Sequence, residues 1–119
     1  MPPLRYARLR ERALTQPTPE WRPGDLHLHA LFIGHGYLMN GGFFHLFEME
    51  DASYEAFVAA LDYFDVQEVK ECLDGASDAF DADTPLRKFD QLYFRFADRG
   101  LDAAVIRSSA LSQGDFAPF

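Results

Sequence analysis

The chain has 119 residues, 48 % of them hydrophobic and 15 % aromatic, and nineteen Asp and Glu against eleven Lys and Arg give a net charge of −8. That length allows one compact core and excludes a barrel of roughly 200 residues or more. The aromatic content excludes a disordered chain, and the acidic balance disfavours direct binding to nucleic acid, whose phosphates would meet like charge.

No apolar run reaches the roughly 18 residues of a membrane span. The opening MPPLRYARLRERAL has no apolar stretch after its charges, so no secretory signal is read and a cytoplasmic location is expected. The single cysteine, Cys72, cannot form an internal disulfide. Charge is unevenly placed. Residues 1–12 hold Arg5, Arg8, Arg10 and Arg12 against Glu11, whereas residues 48–83 hold twelve acids and one base, Lys70, a balance of −11.

In chain order, Leu4 to Leu14 predicts a short Arg-rich helix, ended by TQPTPEWRPGD. Its prolines make residues up to 24 a linker or arm, with Trp21 as its anchor, ahead of a helical domain over 25–119. Asp25 predicts the N-cap of a helix running to about Met39, buried on most of its circumference, with Asn40-Gly41-Gly42 as its break. The run FFHLFEM after it fits a strand or a helix equally. Tyr54, Phe57, Val58, Leu61 and Phe64 then form a helical stripe, with Asp51 or Ser53 as N-cap.

Val66, Val69, Leu73, Ala76 and Phe80 form the next stripe. At about 100° per residue, Glu71, Asp74, Asp78 and Asp81 fall roughly opposite it. Thr84 as N-cap, Pro85 at the first helical position and Gly100 at the end frame another helix, with Leu86, Phe89, Tyr93 and Phe96 facing inward and Leu92 beside them. Asp102 to about Leu111 is a final helix presenting Ala104, Val105, Ser108 and Leu111, after which Phe116 or Phe119 docks. With no strand rhythm and no repeat, the fold class is all-α, a single bundle of about five or six helices.

The four histidines, His27, His29, His35 and His45, all lie in DLHLHALFIGHGYLMNGGFFHLF. The H-x-H pair His27/His29 resembles the opening of a metal-dependent hydrolase barrel, the least favoured reading, because that barrel needs more chain and more histidines downstream. On a helix His27 and His29 point about 200° apart, and no two histidines are three or four residues apart, so none can share an ion. They read as solvated or helix-capping. Ser108 and Ser109 follow every histidine and sit in no strand-turn-helix elbow. Cys72 reads as a half-buried structural thiol. The glycines form no phosphate loop, since no Lys-Ser or Lys-Thr follows them. Neither catalytic nor metal-ligating residues are assigned, and no cofactor is called for.

The acidic segment is the remaining candidate. Carboxylates three or four residues apart on a helix recur every ~5 Å, comparable with the ~3.4 Å axial charge spacing of one DNA strand. Such a face could occupy a DNA-binding groove on a basic protein.

Asn40-Gly41-Gly42-Phe43-Phe44-His45-Leu46-Phe47, followed by YEAFVAALDYFDVQEVKECLDGASDAF, resembles the small bacterial DNA-mimic-protein-19-like family. The family's pattern is NGGF-x-Q-[YF]-F, then an acidic helix, then a second helix ending in an acidic stretch. The likeness covers roughly residues 25–116, including FDQLYFRF and the closing Asp115-Phe116. His45 replaces the usual Gln and Leu46 the usual aromatic, which marks a divergent member. The resemblance implies an all-α fold, no catalysis, and an acidic surface that mimics DNA towards DNA-binding proteins. Partner-binding residues are then Glu55, Asp62, Glu68, Glu71, Asp74, Asp78 and Asp81, with Asn40, Gly41, Gly42, Phe43 and Phe47 as the structural motif. The alternative is an immunity-type antitoxin bound to a specific toxin. A basic protein partner is expected, with neither nucleic acid nor membrane, and exposed aromatics on 86–98 would point to a homodimer.

Overall fold

The computed structural model describes residues 4–48, 51–98, 100–111 and 113–119. Six helices follow one another: α1 Leu4–Ala13, α2 Pro23–Phe47, α3 Asp51–Tyr63, α4 Gln67–Asp81, α5 Arg87–Ala97 and α6 Gly100–Leu111, then a single 3-10 turn at Gln113–Asp115. No strand occurs among the described residues, so the all-α bundle is the fold.

The longest helix, α2, is the axis of the core. Leu28, Leu31, Leu38, Phe43 and Leu46 along it are fully buried, meeting Phe57, Leu61 and Phe64 of α3, Val69 and Leu73 of α4, and Tyr93 of α5. Tyr6, Leu9 and Ala13 of α1 belong to the same core. Gly34 explains how close α2 and α3 run, because a Cβ there would overlap the Phe57 ring. Any side chain at residue 34 would have to push the two helices apart.

Asp25 is not the N-cap of α2. Pro23 occupies the first helical position, where its missing N–H and fixed φ are tolerated, so the cap falls on Arg22. Asp25 sits one turn in, and its carboxylate accepts the Arg22 backbone N–H at 3.0 Å. Asn40-Gly41-Gly42 is the expected break, and it takes the form of a kink. The backbone kinks at Gly42, with φ 70° and ψ −164°, and resumes helical through Phe47. FFHLF is therefore helical, and the kink seats Phe43 and Phe47 while Phe44 stays exposed. Phe43 is buried and Phe47 half-buried.

Both ends of the α3–α4 pair close in the same way. After α3, Asp65 adopts φ 55°, its N–H reaches the Asp62 carbonyl at 3.1 Å, and the Val66 N–H reaches the Leu61 carbonyl at 2.9 Å. After α4, Asp83 adopts φ 56°, its N–H reaches Phe80 at 3.1 Å, and the Thr84 N–H reaches Ala79 at 2.8 Å. These are paired Schellman closures with aspartate in the left-handed position, which short polar side chains tolerate. They also correct the start of α5: Thr84 spends its N–H closing α4, and Pro85 lies outside, so α5 begins at Arg87 with Leu86 as its cap residue.

Ser53 lies inside α3, whose helical backbone already includes Asp51; the Asp51 side chain, and with it that capping expectation, lies outside the described residues, as does the Leu111 side chain. Tyr93 of α5 is buried and Phe89, Phe96 and the cap residue Leu86 are half-buried, while Leu92, expected beside them, and the aromatic Phe94 are exposed. Phe80 is likewise an exposed member of its stripe. Gly100 opens α6 rather than closing α5, and a Cβ on it would collide with the Phe96 ring. Phe116 docks into the core, whereas Phe119 stays exposed with the guanidinium groups of Arg8 and Arg12 over its ring at 4.1 and 4.5 Å. No helix among the described residues is long and apolar enough to cross a membrane.

Candidate functional site

Two sets of carboxylates occupy this fold, and they do different things. The first set holds the bundle together. Asp25 is 2 % exposed. Besides the Arg22 N–H, it accepts the Arg12 guanidinium of α1 at 2.5 Å and the Ala117 N–H of the C-terminal tail at 2.8 Å. One carboxylate therefore joins α1, the start of α2 and the tail. Arg12 also donates to the Ala117 carbonyl at 3.0 Å, although its buried Nε has no partner.

The Arg-rich character of α1 is explained here. Arg5 reaches the Ser109 carbonyl and lies over the Phe116 ring, Arg12 reaches the tail, and Arg8 covers Phe119. These arginines clamp the C-terminus by hydrogen bonds and ring faces.

Asp90 of α5 performs the second task. Its carboxylate accepts the Phe43 N–H at 2.8 Å, capping the helical segment that restarts after the Gly42 kink. Asp102 accepts the Tyr6 hydroxyl, tying α6 to α1, and Asp115 accepts the Tyr63 hydroxyl at 2.5 Å, tying the 3-10 turn to α3. Burial, followed by the hydrogen bond to the neighbouring carboxylate, pushes both tyrosines above their ordinary value of 10.0.

The second set is the acidic face. Glu55 and Asp62 lie seven residues apart on α3, and Glu68, Glu71, Asp74, Asp78 and Asp81 lie on α4. All seven are exposed. On α4, Glu71, Asp74, Asp78 and Asp81 occupy the side opposite buried Val69, Leu73 and Ala76, and the stripe from Glu71 to Asp81 is about 15 Å long at the rise of an α-helix. Among the described residues the only cationic partner any of the seven has is Lys70, which pairs with Asp62. That hydrogen bond, more than the charge itself, raises the Lys70 pKa.

The histidines are not brought together. His29 Nδ1 bonds the Ala13 carbonyl at 2.7 Å; a carbonyl only accepts, so Nδ1 carries the hydrogen and caps the C-terminus of α1. The same imidazole meets the Trp21 ring edge-on at 5.6 Å, which fixes the linker. His27 points the other way and stacks on Tyr63 at 4.4 Å. His35 shares a 2.6 Å bond with the Tyr93 hydroxyl, and His45 Nδ1 bonds the Tyr37 carbonyl at 3.2 Å. All four are half-buried and engaged, so the expectation of solvated rings holds for none and capping holds for His29. Among the described residues no three His, Cys, Asp or Glu side chains gather as metal ligands.

Burial, with Arg10 adding to it, holds the His35 pKa below the ordinary 6.5, and burial does the same for His27 against the opposing pull of Asp115. The unfolded chain then takes up protons as pH falls through about 6.5 while the folded chain resists, so this contribution to stability is complete above that pH and declines below it. The melting temperature of the wild type is expected to fall more between pH 7 and 5.5 than that of His27→Gln/His35→Gln, measured by thermal denaturation. Comparing the two proteins removes the opposite trend from eased repulsion among the acids; parallel profiles would show that the histidines do not carry the effect.

Cys72 is half-buried, its thiol donates to the Phe89 carbonyl at 3.3 Å, and burial, followed by the nearby Asp90, pushes its pKa up to about 11. It is a structural thiol with little thiolate to react. It lines a cleft of about 350 Å³ between α4 and α5 together with Glu71, Phe89, Leu92 and Phe96. Ser108 donates to the Phe64 carbonyl at 3.0 Å and Ser109 to the Ile106 carbonyl at 3.1 Å, so both hydroxyls serve the backbone.

No family model, no curated protein and no solved structure matches this chain. Of the residues singled out in the sequence, the seven acids lie exposed on the adjacent helices α3 and α4, and the motif residues lie at the kink. In the sequence Asp102 reads only as the start of a helix and Asp115 only as part of the closing Asp-Phe pair, and no tertiary partner is expected there for either of them or for Asp90. Nothing local marks them, because each is recognised only by the distant backbone or hydroxyl it meets.

Proposed function

We propose that this chain is a non-enzymatic, acidic protein-protein interaction module whose α3–α4 face occupies the DNA-binding groove of a basic protein. The observation that supports this reading most is the division of labour among its acids. Asp25, Asp90, Asp102 and Asp115 serve the interior, while Glu55, Glu68, Glu71, Asp74, Asp78 and Asp81 stand exposed without a cationic partner among the described residues. A surface needed only for solubility intersperses the two signs. A row of unpaired carboxylates instead stores an electrostatic attraction that a cationic groove can satisfy.

The same reading follows from the resemblance of Asn40 to Phe47 and the helices after it to the DNA-mimic-protein-19-like family, of which this chain would be a divergent, bacterial, cytoplasmic member. Because α4 keeps its core face apart from its acidic face, reversing charge on the latter leaves the fold intact. Glu71→Lys with Asp78→Lys is expected to weaken partner binding by tenfold or more at low salt without lowering the melting temperature; affinity capture from bacterial lysate followed by binding isotherms at increasing salt measures both. Affinity indifferent to salt and to the reversals would contradict the proposal. Recovery of a toxin instead of a DNA-binding protein would assign the immunity-type reading.

A further inference from the structure

Phe44 is 55 % exposed and Phe80 40 % exposed, yet neither ring stands alone. The Phe80 ring lies 6.0 Å from that of Phe44 and 5.1 Å from that of Phe47, and Phe47 meets Tyr54 at 6.1 Å. Phe44 and Phe47 belong to the end of α2, Phe80 to the last turn of α4 and Tyr54 to the first turn of α3, so three helices bring their rings to one place. Packing explains Phe47 and Tyr54, which are half-buried against the core. It does not explain why Phe44 and Phe80 stand in water side by side.

Carboxylates border these rings. Asp81 follows Phe80 in the chain, Glu48 follows Phe47 and Glu55 follows Tyr54, and all three acids are exposed. Burial, followed by the charge of Asp74, raises the Tyr54 pKa, so Asp74 also acts on this spot. α4 ends here with no basic residue in its last turn, and nothing within the helix offsets its negative end. Elsewhere the chain covers its rings with its own cations: Arg5 over Phe116, Arg8 and Arg12 over Phe119, Arg10 over Phe32 and Lys88 over Phe89, at 4.1 to 5.7 Å. Among the described residues no Lys or Arg lies over Phe44, Phe47, Phe80 or Tyr54, and Arg87 at the start of α5 is no exception.

Charge selects the occupant. The face of an aromatic ring and a carboxylate attract the same kind of ion, and arginine suits both at once, since its planar guanidinium stacks on the ring while its edge donates to the acid. A purely apolar partner would strip water from the bordering carboxylates and leave them unpaired. A nucleic acid would set phosphates against them. A second copy would bring the same acids, and its Arg5, Arg8, Arg10 and Arg12 already lie over rings of their own chain.

We propose that the exposed pair Phe44 and Phe80, with Phe47 behind it and Glu48 and Asp81 at its edge, seats an arginine side chain of the basic partner. The proposal rests on the reading of the α3–α4 face as a docking surface and adds an anchor at one end of it. The carboxylates supply attraction that salt screens, and the rings supply a short-range contact that salt screens much less.

Two peptides of equal charge, hexa-arginine and hexa-lysine, test it by titration into the full chain at low salt, followed by NMR. Hexa-arginine is expected to bind about fivefold more tightly than hexa-lysine, the scale of a partly desolvated cation–π contact, and to shift the ring resonances of Phe44 and Phe80. Phe44→Leu/Phe80→Leu keeps apolar side chains and removes the π faces, so it should abolish the arginine preference while hexa-lysine binding and the melting temperature stay close to the wild type. Phe94→Leu, at an exposed ring elsewhere on α5, should change nothing. Equal wild-type affinities for the two peptides, a preference that survives Phe44→Leu/Phe80→Leu, or ring shifts centred on Phe94 would overturn this inference and leave the acidic face standing. Glu71→Lys/Asp78→Lys should weaken both peptides alike; if it weakens neither, the reading of the acidic face fails, and the inference that rests on it fails with it.

Discussion

Asp25→Ala is expected to lower the unfolding free energy by about 3–5 kcal/mol, the range for removing one partner of a buried ion pair. That is a large part of the roughly 5–15 kcal/mol that holds a domain of this size together. The carboxylate is almost wholly buried and receives three donors, so its loss leaves the Arg12 guanidinium, the Arg22 N–H and the Ala117 N–H without their acceptor. The guanidinium is the costliest of the three to strand, because it stays charged and largely buried. Removing it as well, in Arg12→Met/Asp25→Ala, should therefore recover part of the loss. Urea denaturation of the wild type, the two single variants and the double variant measures this coupling. Strict additivity of the two single effects would show that the pair is not the unit described here.

Gly42→Ala is the second large effect, expected at about 3–5 kcal/mol from two causes that add. The backbone at φ 70° and ψ −164° belongs to a region that is essentially closed to residues with a Cβ, worth about 1–3 kcal/mol. The new methyl would also stand about 2.5 Å from the Asp90 carboxylate oxygens, displacing the group that caps the Phe43 N–H. Losing a hydrogen bond to a charged acceptor costs about 1.5–3 kcal/mol. Asp90→Asn keeps the shape and an acceptor oxygen, so it should cost well under half as much, again by urea denaturation. Equal losses in the two variants would place the whole effect in Asp90 and none in the backbone.

That pairing of Gly42 with Asp90 shows why the sequence was readable in some places and not in others. The stripes on α3 and α4 repeat within one helix, so their positions and their buried faces follow from spacing alone, and Val69, Leu73 and Ala76 are where that spacing puts them. The Asn-Gly-Gly stretch is equally conspicuous, but glycine permits several outcomes. What spacing does not reveal is the carboxylate of Asp90, 48 residues beyond Gly42, that caps the segment restarting after the break.

Asp25 illustrates the same limit from the other side. As a short acid ahead of an apolar run it has the form of an N-cap, and only Pro23 taking the first helical position moves it one turn inward, where it meets α1 and the tail. Thr84-Pro85 likewise has the form of a helix start, yet the preceding helix claims the Thr84 N–H first. The histidine pair misleads less: helical geometry alone separates His27 from His29, and the structure sends one to Tyr63 and the other to Ala13.

The acidic face was the most legible part of the candidate site, because exposure on α4 follows from the wheel once its apolar side is known. That its members other than Asp62 are free of internal partners among the described residues was not legible, since a carboxylate in the sequence gives no sign of whether it will be spent on a lysine, a tyrosine, a backbone N–H or nothing.

The most direct test is competition. With the captured basic partner loaded on its own DNA operator, this protein is expected to displace the duplex in a dose-dependent manner, and added duplex to release this protein in return, with Glu71→Lys/Asp78→Lys failing in both directions. A stable ternary complex of partner, DNA and this protein would contradict the account, because it would place the acidic face somewhere other than the DNA-binding groove.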